Sequence, residues 1–166
     1  HCDVLIAVVE RGDEVYIPDG NFELKARDEI SIVGTPAKTI EFFKKLGVPT
    51  SSARDALIVG GGRTSVYLAK QLLEMGIRVK IVERDEERCE ELNEMVPKAM
   101  IICGDATDKD LLIEEGLLET EAFVATTNFD EENIMLALFA KSLSSAKLIT
   151  KVHRISYDDI IDQLDV

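Results

Sequence analysis

From residue 56 onward, short apolar runs alternate with longer stretches of helical periodicity. The runs cover 56–59, 79–82, 99–103, 122–125 and 148–152, and the helical patterns cover 64–75, 86–95, 108–115 and 131–143. Strands separated by helices return in the same direction through right-handed crossovers, which gives a parallel sheet covered on both faces. The rhythm predicts a doubly wound α/β domain of five strands over residues 55–166. A last helix is expected from Ser156, with Ile160, Ile161 and Leu164 on one face.

Residues 1–48 have a different grain and read as a small β-rich, α+β unit. The apolar run 4–9 and the segment Glu14-Val15-Tyr16-Ile17 form a hairpin about the turn Arg11-Gly12-Asp13, and Pro18-Asp19-Gly20 stops the second strand. Phe22-Glu23-Leu24 and 29–33 read as further strands joined by Ala26-Arg27-Asp28. Pro36 opens a helix capped by Thr35, with Ile40, Phe43 and Leu46 on its apolar face. Residues 49–54 read as a linker.

Of the formal net charge of -13, the first 52 residues carry -3 and the remainder -10. Neither part has a basic tract, so the phosphate neutralisation that nucleic-acid binding requires is missing. No apolar run is long enough to cross a bilayer, and no signal peptide opens the sequence. Three cysteines (Cys2, Cys89 and Cys103) without a CxxC pair, with two histidines, argue against a zinc site or disulfide framework and fit a reducing cytoplasm.

The sharpest local feature is Gly60-Gly61-Gly62-Arg63-Thr64-Ser65, between the first apolar run and its helix. Gly60 permits the tight turn, Gly62 removes a Cβ that would block a pyrophosphate, and the helix N-terminus offers unpaired N–H groups. Ser65 stands where a third glycine is usual, and Arg63 is placed to lay its guanidinium over phosphate oxygens. Glu83 ends the second strand 21 residues beyond Gly62, where a carboxylate accepts from ribose hydroxyls and repels a 2′-phosphate. Its competing role is to solvate a strand end. Asp105 and Ala106 follow the third strand, where Asp105 either accepts from an adenine amino group or makes the turn. Thr127 follows the fourth strand, and Asp130 reads as a helix cap.

Chemistry is harder to find. His153 has no evident orienting carboxylate before Asp158 and Asp159, Cys103 reads as a buried hydrophobe, and Cys89 lies on a charged helix without a basic cluster. No nucleophile–base pair, paired carboxylates or metal cluster stands out, so the residues predict a binding domain and no enzyme.

The segments IVGGGRTSVYLAKQLLEMGIRVKIVERDEERCEEL, ICGDATD, FVATTNFDEEN and LITKVHR resemble the nucleotide-binding RCK domain of TrkA-type potassium-uptake regulators. Residues 3–34, through Arg11-Gly12, Ile17-Pro18, Gly20, Asp28 and Val33-Gly34, resemble the latter half of the small ligand-binding domain that follows each such unit. The resemblance implies the middle of a tandem regulator, with a sixth strand expected beyond Val166. It implies NAD(H) or ATP/ADP as ligand, with Gly60 to Ser65 on the phosphates, Glu83 on the ribose, Asp105 and Ala106 flanking the base, and Thr127 near the phosphates or nicotinamide. It further implies a cytoplasmic homo-oligomer, dimer or tetramer, attached to a membrane-embedded potassium transporter subunit. The alternatives are an NAD-dependent oxidoreductase fragment lacking its substrate domain, or an assembly domain that keeps the glycine turn for packing.

Overall fold

The computed structural model describes residues 4–12, 14–48 and 53–153, and the chain divides into two compact units, 1–52 and 53–166. The helix expected from Ser156, Cys2, Asp158, Asp159 and the linker residues 49–52 lie outside the described residues.

In the first unit, β1 (Leu5–Arg11), β2 (Glu14–Tyr16) and β3 (Glu29–Val33) form an antiparallel sheet in the order β2-β1-β3. Val9, fully buried on the central strand, pairs with Tyr16 on one side and Ile30 on the other. Residues 22–24, expected as a strand, are irregular. Side chains satisfy this segment's surroundings: Asn21 N–H donates to Asp19 Oδ1 at 2.9 Å, Arg11 Nη2 donates to Glu23 O at 3.2 Å, and Lys25 N–H donates to Asp28 Oδ2 at 2.8 Å. These bonds offer the backbone an alternative to a ladder.

Arg11 is the hub. Its guanidinium meets Asp28 through two bonds of 2.7 and 2.8 Å, and its Cζ lies 5.4 and 5.5 Å from the Tyr16 and Phe22 ring centres. The Arg11 hydrogen bonds, then the Lys25 N–H, hold the Asp28 carboxyl down at about 2. A carboxylate depressed from its ordinary value near 3.9 contributes stability in full above that value and loses it as the pH falls toward 2. The first unit is therefore expected to weaken between about pH 4 and pH 2. Asp28→Asn removes that pH dependence; an unchanged acid transition in the variant, followed by the NMR signals of β1 and β3, contradicts the assignment.

Pro36 occupies the first turn of α1 (Pro36–Lys45), as expected, but the Thr35 hydroxyl makes no cap bond. The helix ends in a Schellman arrangement, with Gly47 at φ +70° donating to Lys44 O and Val48 N–H donating to Phe43 O. Phe42 and Phe43 are half-buried, whereas Ile40 and Leu46 of the expected apolar face are exposed.

The second unit begins with β4 (Asp55–Val59), α2 (Arg63–Glu74), β5 (Arg78–Glu83), α3 (Glu86–Met95) and β6 (Met100–Cys103). It continues with α4 (Lys109–Glu114), β7 (Ala122–Ala125), α5 (Asp130–Leu143) and β8 (Lys147–Thr150). All four strand pairs are parallel, in the order β6-β5-β4-β7-β8. The doubly wound expectation is met, because the chain steps outward from β4 to one edge and returns to β4's other side. Strands buried on both faces explain the uninterrupted apolar runs. Leu57, Val59, Val82 and Phe123 pack with Leu112, Leu117 and Leu136 on one face. Ile58, Ile81 and Val124 pack with Val66, Leu92 and Val96 on the other. Neighbours of opposite winding open a crevice at the carboxyl ends of β4 and β7.

Candidate nucleotide site

Gly60 leaves β4 with φ +94°, and a Cβ there would stand 3.0 Å from the backbone of Thr126 and Thr127. Gly61 is buried: its N–H donates to Glu83 Oε2 at 2.6 Å, its carbonyl accepts from Arg88 Nε at 2.8 Å, and a Cβ would run into Leu92 and the Glu83 carboxylate. The fold itself therefore demands the first two glycines.

Gly62 differs. It is the N-cap of α2, with φ -68° and ψ 179°, an extended conformation open to any residue, and a Cβ there meets nothing within 4 Å. Neither packing nor backbone geometry asks for glycine, and the space its missing side chain leaves is at the mouth of the cleft. The first helical bond is Val66 N–H to Gly62 O. The amides of Arg63, Thr64 and Ser65 ahead of it thus have no partner within the helix and present the positive end of its dipole. That arrangement receives anions.

The cleft measures about 240 Å³, and Gly60, Gly61, Gly62, Glu83, Asp105, Ala106 and Thr127 all line it. Arg63, Thr64 and Ser65 do not line it. Arg63 and Thr64 are exposed, and Ser65 is fully buried, with its hydroxyl bonded to Gly60 O and to Thr126 Oγ1 at 2.9 Å. Thr126 Oγ1 also lies 2.9 Å from Val59 O, so the two hydroxyl protons are shared among three contacts. Serine at the third motif position is thus a clasp between the glycine turn and the end of β7, a contact glycine could not make.

Glu83 holds two backbone amides, Gly61 N–H through Oε2 and Asp85 N–H through Oε1 at 3.0 Å. Asp105 makes the turn, accepting from Thr107 N–H and from its hydroxyl at 2.8 Å each, and those bonds lower its pKa. Asp108 and Asp85 cap α4 and α3.

Two buried side chains of α5, Asp130 and Asn133, position the chain around the cleft, and neither reads as a positioning group in the sequence. Asp130 is not a cap: Phe129 holds that position without a side-chain bond, and Asp130 is the first helical residue of α5. Its carboxylate is 5% exposed and accepts from His153 N–H at 3.1 Å, with His153 Nδ1 2.8 Å away. His153 thus has an orienting carboxylate, 23 positions earlier in the chain. Asn133, also fully buried, accepts from Thr127 N–H at 2.8 Å and donates to Thr127 O and Lys151 O at 3.2 and 2.9 Å. The i, i+3 spacing of Asp130 and Asn133, a polar pair on one face of an apolar helix, was the sequence signal for both. They pin the β7–α5 turn to the chain leaving β8.

A parallel doubly wound sheet with a glycine turn, an open helix N-terminus and an acid at the end of the second strand defines a Rossmann-type domain. Residues 56–166 match the TrkA-N domain and residues 1–47 the TrkA-C domain, and the chain belongs to the TrkA-N domain family. Trk system potassium uptake protein TrkA of Vibrio alginolyticus is 34% identical over 161 residues, 97% of this chain and 35% of that protein. A TrkA homolog of Archaeoglobus fulgidus is 34% identical over 164 residues, 99% of this chain and 37% of its own length. The chain therefore spans little more than a third of these relatives. Among solved structures, the TrkA-N domain of inner membrane protein ybaL from Escherichia coli superposes with a TM-score of 0.60 at 21% identity, covering 69% of this chain and 84% of that one. The GsuK channel bound to NAD gives 0.65 at 21% identity, covering 99% and 28%. These likenesses show the fold.

Proposed function

We propose that the chain is the nucleotide-sensing part of a regulatory subunit of a potassium-uptake system, with NAD(H) bound in the cleft at the carboxyl edge of β4. The observation that carries this reading is Gly62, a glycine the fold does not need, at an open helix N-terminus facing a cleft. The amides of residues 63–65 would hold the phosphates, Glu83 the ribose, Asp105 and Ala106 the base, and Thr127 the nicotinamide side. The names of the relatives support the potassium-uptake setting. Ligand binding that favours one arrangement of domains over another shifts their equilibrium, and a membrane-embedded transporter subunit reads the change. The chain acts in a cytoplasmic homo-oligomer attached to that partner. Among the described residues, no helix is long and apolar enough to cross a membrane.

Charge favours NAD(H) over ATP or ADP. Glu83, Asp85, Asp105 and Glu132 line the cleft against the single cation Arg84, so a triphosphate meets more repulsion than a dinucleotide. Without divalent cations NAD is expected to bind at least ~10-fold more tightly than ATP, about 1.4 kcal/mol, and magnesium is expected to narrow the gap. Competition titrations with and without magnesium check this; ATP binding more tightly than NAD in the metal-free arm contradicts it.

An oxidoreductase reading gains an oriented histidine in His153, but neither it nor Asp130 lines the cleft. Steady NADH formation with a small substrate is the result that would favour it.

A further inference from the structure

Successive residues of a strand point to opposite faces, so Ile81 and Glu83 of β5 share a face with their ladder partners Ile101 and Cys103 of β6. Helix α3 covers that face, and the spacing of Cys89, Leu92 and Val96 turns all three toward it. Cys89 in the first turn of α3 therefore meets Cys103 at the end of β6. Cys103, expected as a buried hydrophobe, is exposed, and Cys89 is the buried thiol of the two. Cys89 Sγ donates to Glu83 O at 3.3 Å, and the same carbonyl accepts from Gly104 N–H at 2.9 Å. Burial pushes the Cys89 thiol up to about 12, and the neighbouring Cys103 adds to the shift.

We propose that Cys89 and Cys103 are a redox-active dithiol, in which the exposed Cys103 reacts with a small disulfide and the buried Cys89 resolves the adduct. In the first step the Cys103 thiolate attacks one sulfur of the small disulfide. A Cys103–S–S–R bond forms, the S–S bond of the oxidant breaks, and the departing thiolate takes a proton. In the second step the Cys89 thiol passes its proton through solvent to the departing small thiolate as its sulfur attacks Cys103 Sγ, so that the Cys89–Cys103 bond forms, the mixed disulfide breaks and the second small thiol leaves. Both electrons end on the oxidant, as two thiols. Closure also withdraws the Cys89 S–H from the carbonyl of Glu83, whose carboxylate holds Gly61 N–H.

Oxidation of the two thiols requires no bound nucleotide. The full chain carrying Cys2→Ser, which leaves these two thiols, is incubated with oxidised glutathione and mapped by mass spectrometry. The expected result is loss of both titratable thiols, a peptide joining residues 89 and 103, no retained glutathione, and a Tm several degrees higher that dithiothreitol reverses. Adding Cys89→Ser is expected to trap one glutathione on Cys103. Persistent glutathione on Cys103 with Cys89 intact, two unreacted thiols, or disulfides only between chains would each overturn the proposal.

Discussion

Gly62→Val is expected to leave the ligand-free protein about as stable as before and to weaken nucleotide binding roughly 100-fold or more, about 2.7 kcal/mol. The two halves of this expectation come from one geometry. With φ -68°, ψ 179° and no atom within 4 Å of the Cβ position, a side chain here strains no backbone and its Cβ meets nothing, so the cost to the ligand-free fold is confined to a weaker helix cap. What it fills is the approach to the unpaired amides of α2, the place a phosphate must reach. The neighbouring glycines supply the contrast. Gly60→Ala puts a Cβ 3.0 Å from backbone atoms that cannot swing aside and adds an L-residue at φ +94°. Its cost is expected to be about 2 kcal/mol or more, in stability rather than binding alone. Melting curves of both variants, with and without NAD, separate the two effects. Equal nucleotide stabilisation in Gly62→Val and wild type refutes the cradle.

The second large effect falls on Asn133. Its side chain is wholly buried and makes three hydrogen bonds to the backbone of Thr127 and Lys151. Asn133→Leu keeps the volume but strips a buried N–H and two carbonyls of these partners, at about 1–3 kcal/mol for each group left unpaired. A total loss of about 3 kcal/mol in the second unit is expected, since some carbonyls relax toward water. Because Thr127 lines the cleft, nucleotide binding should weaken with it. Denaturant unfolding of the variant measures the first effect, and a loss below 1 kcal/mol would mean the turn is held by other contacts.

Much of the second unit was legible because its determinants are local and periodic. The apolar runs became β4 through β8 within a few residues, and the helices α2 to α5 differ from their expected bounds by one residue at most ends. The resemblance motifs of the first unit have a physical counterpart, since Arg11 and Asp28 form its central ion pair. The misses share a cause. Phe22-Glu23-Leu24 has strand composition, but side chains of Arg11, Asp19 and Asp28 take up the backbone groups around it. The pairing of Asp130 with His153, the clasp of Ser65 on Thr126, and the meeting of Cys89 with Cys103 depend on strand order. Residues 14 to 61 positions apart are brought together only when β6, β7 and β8 take their places. Spacing along the chain carries no record of such contacts.

Calorimetric titration of NAD into the folded chain tests the central claim most directly. The account predicts saturable binding of one NAD per chain, retained in Cys89→Ser and weakened roughly 100-fold or more in Gly62→Val. A folded, monodisperse protein that takes up no NAD at millimolar concentration would contradict it.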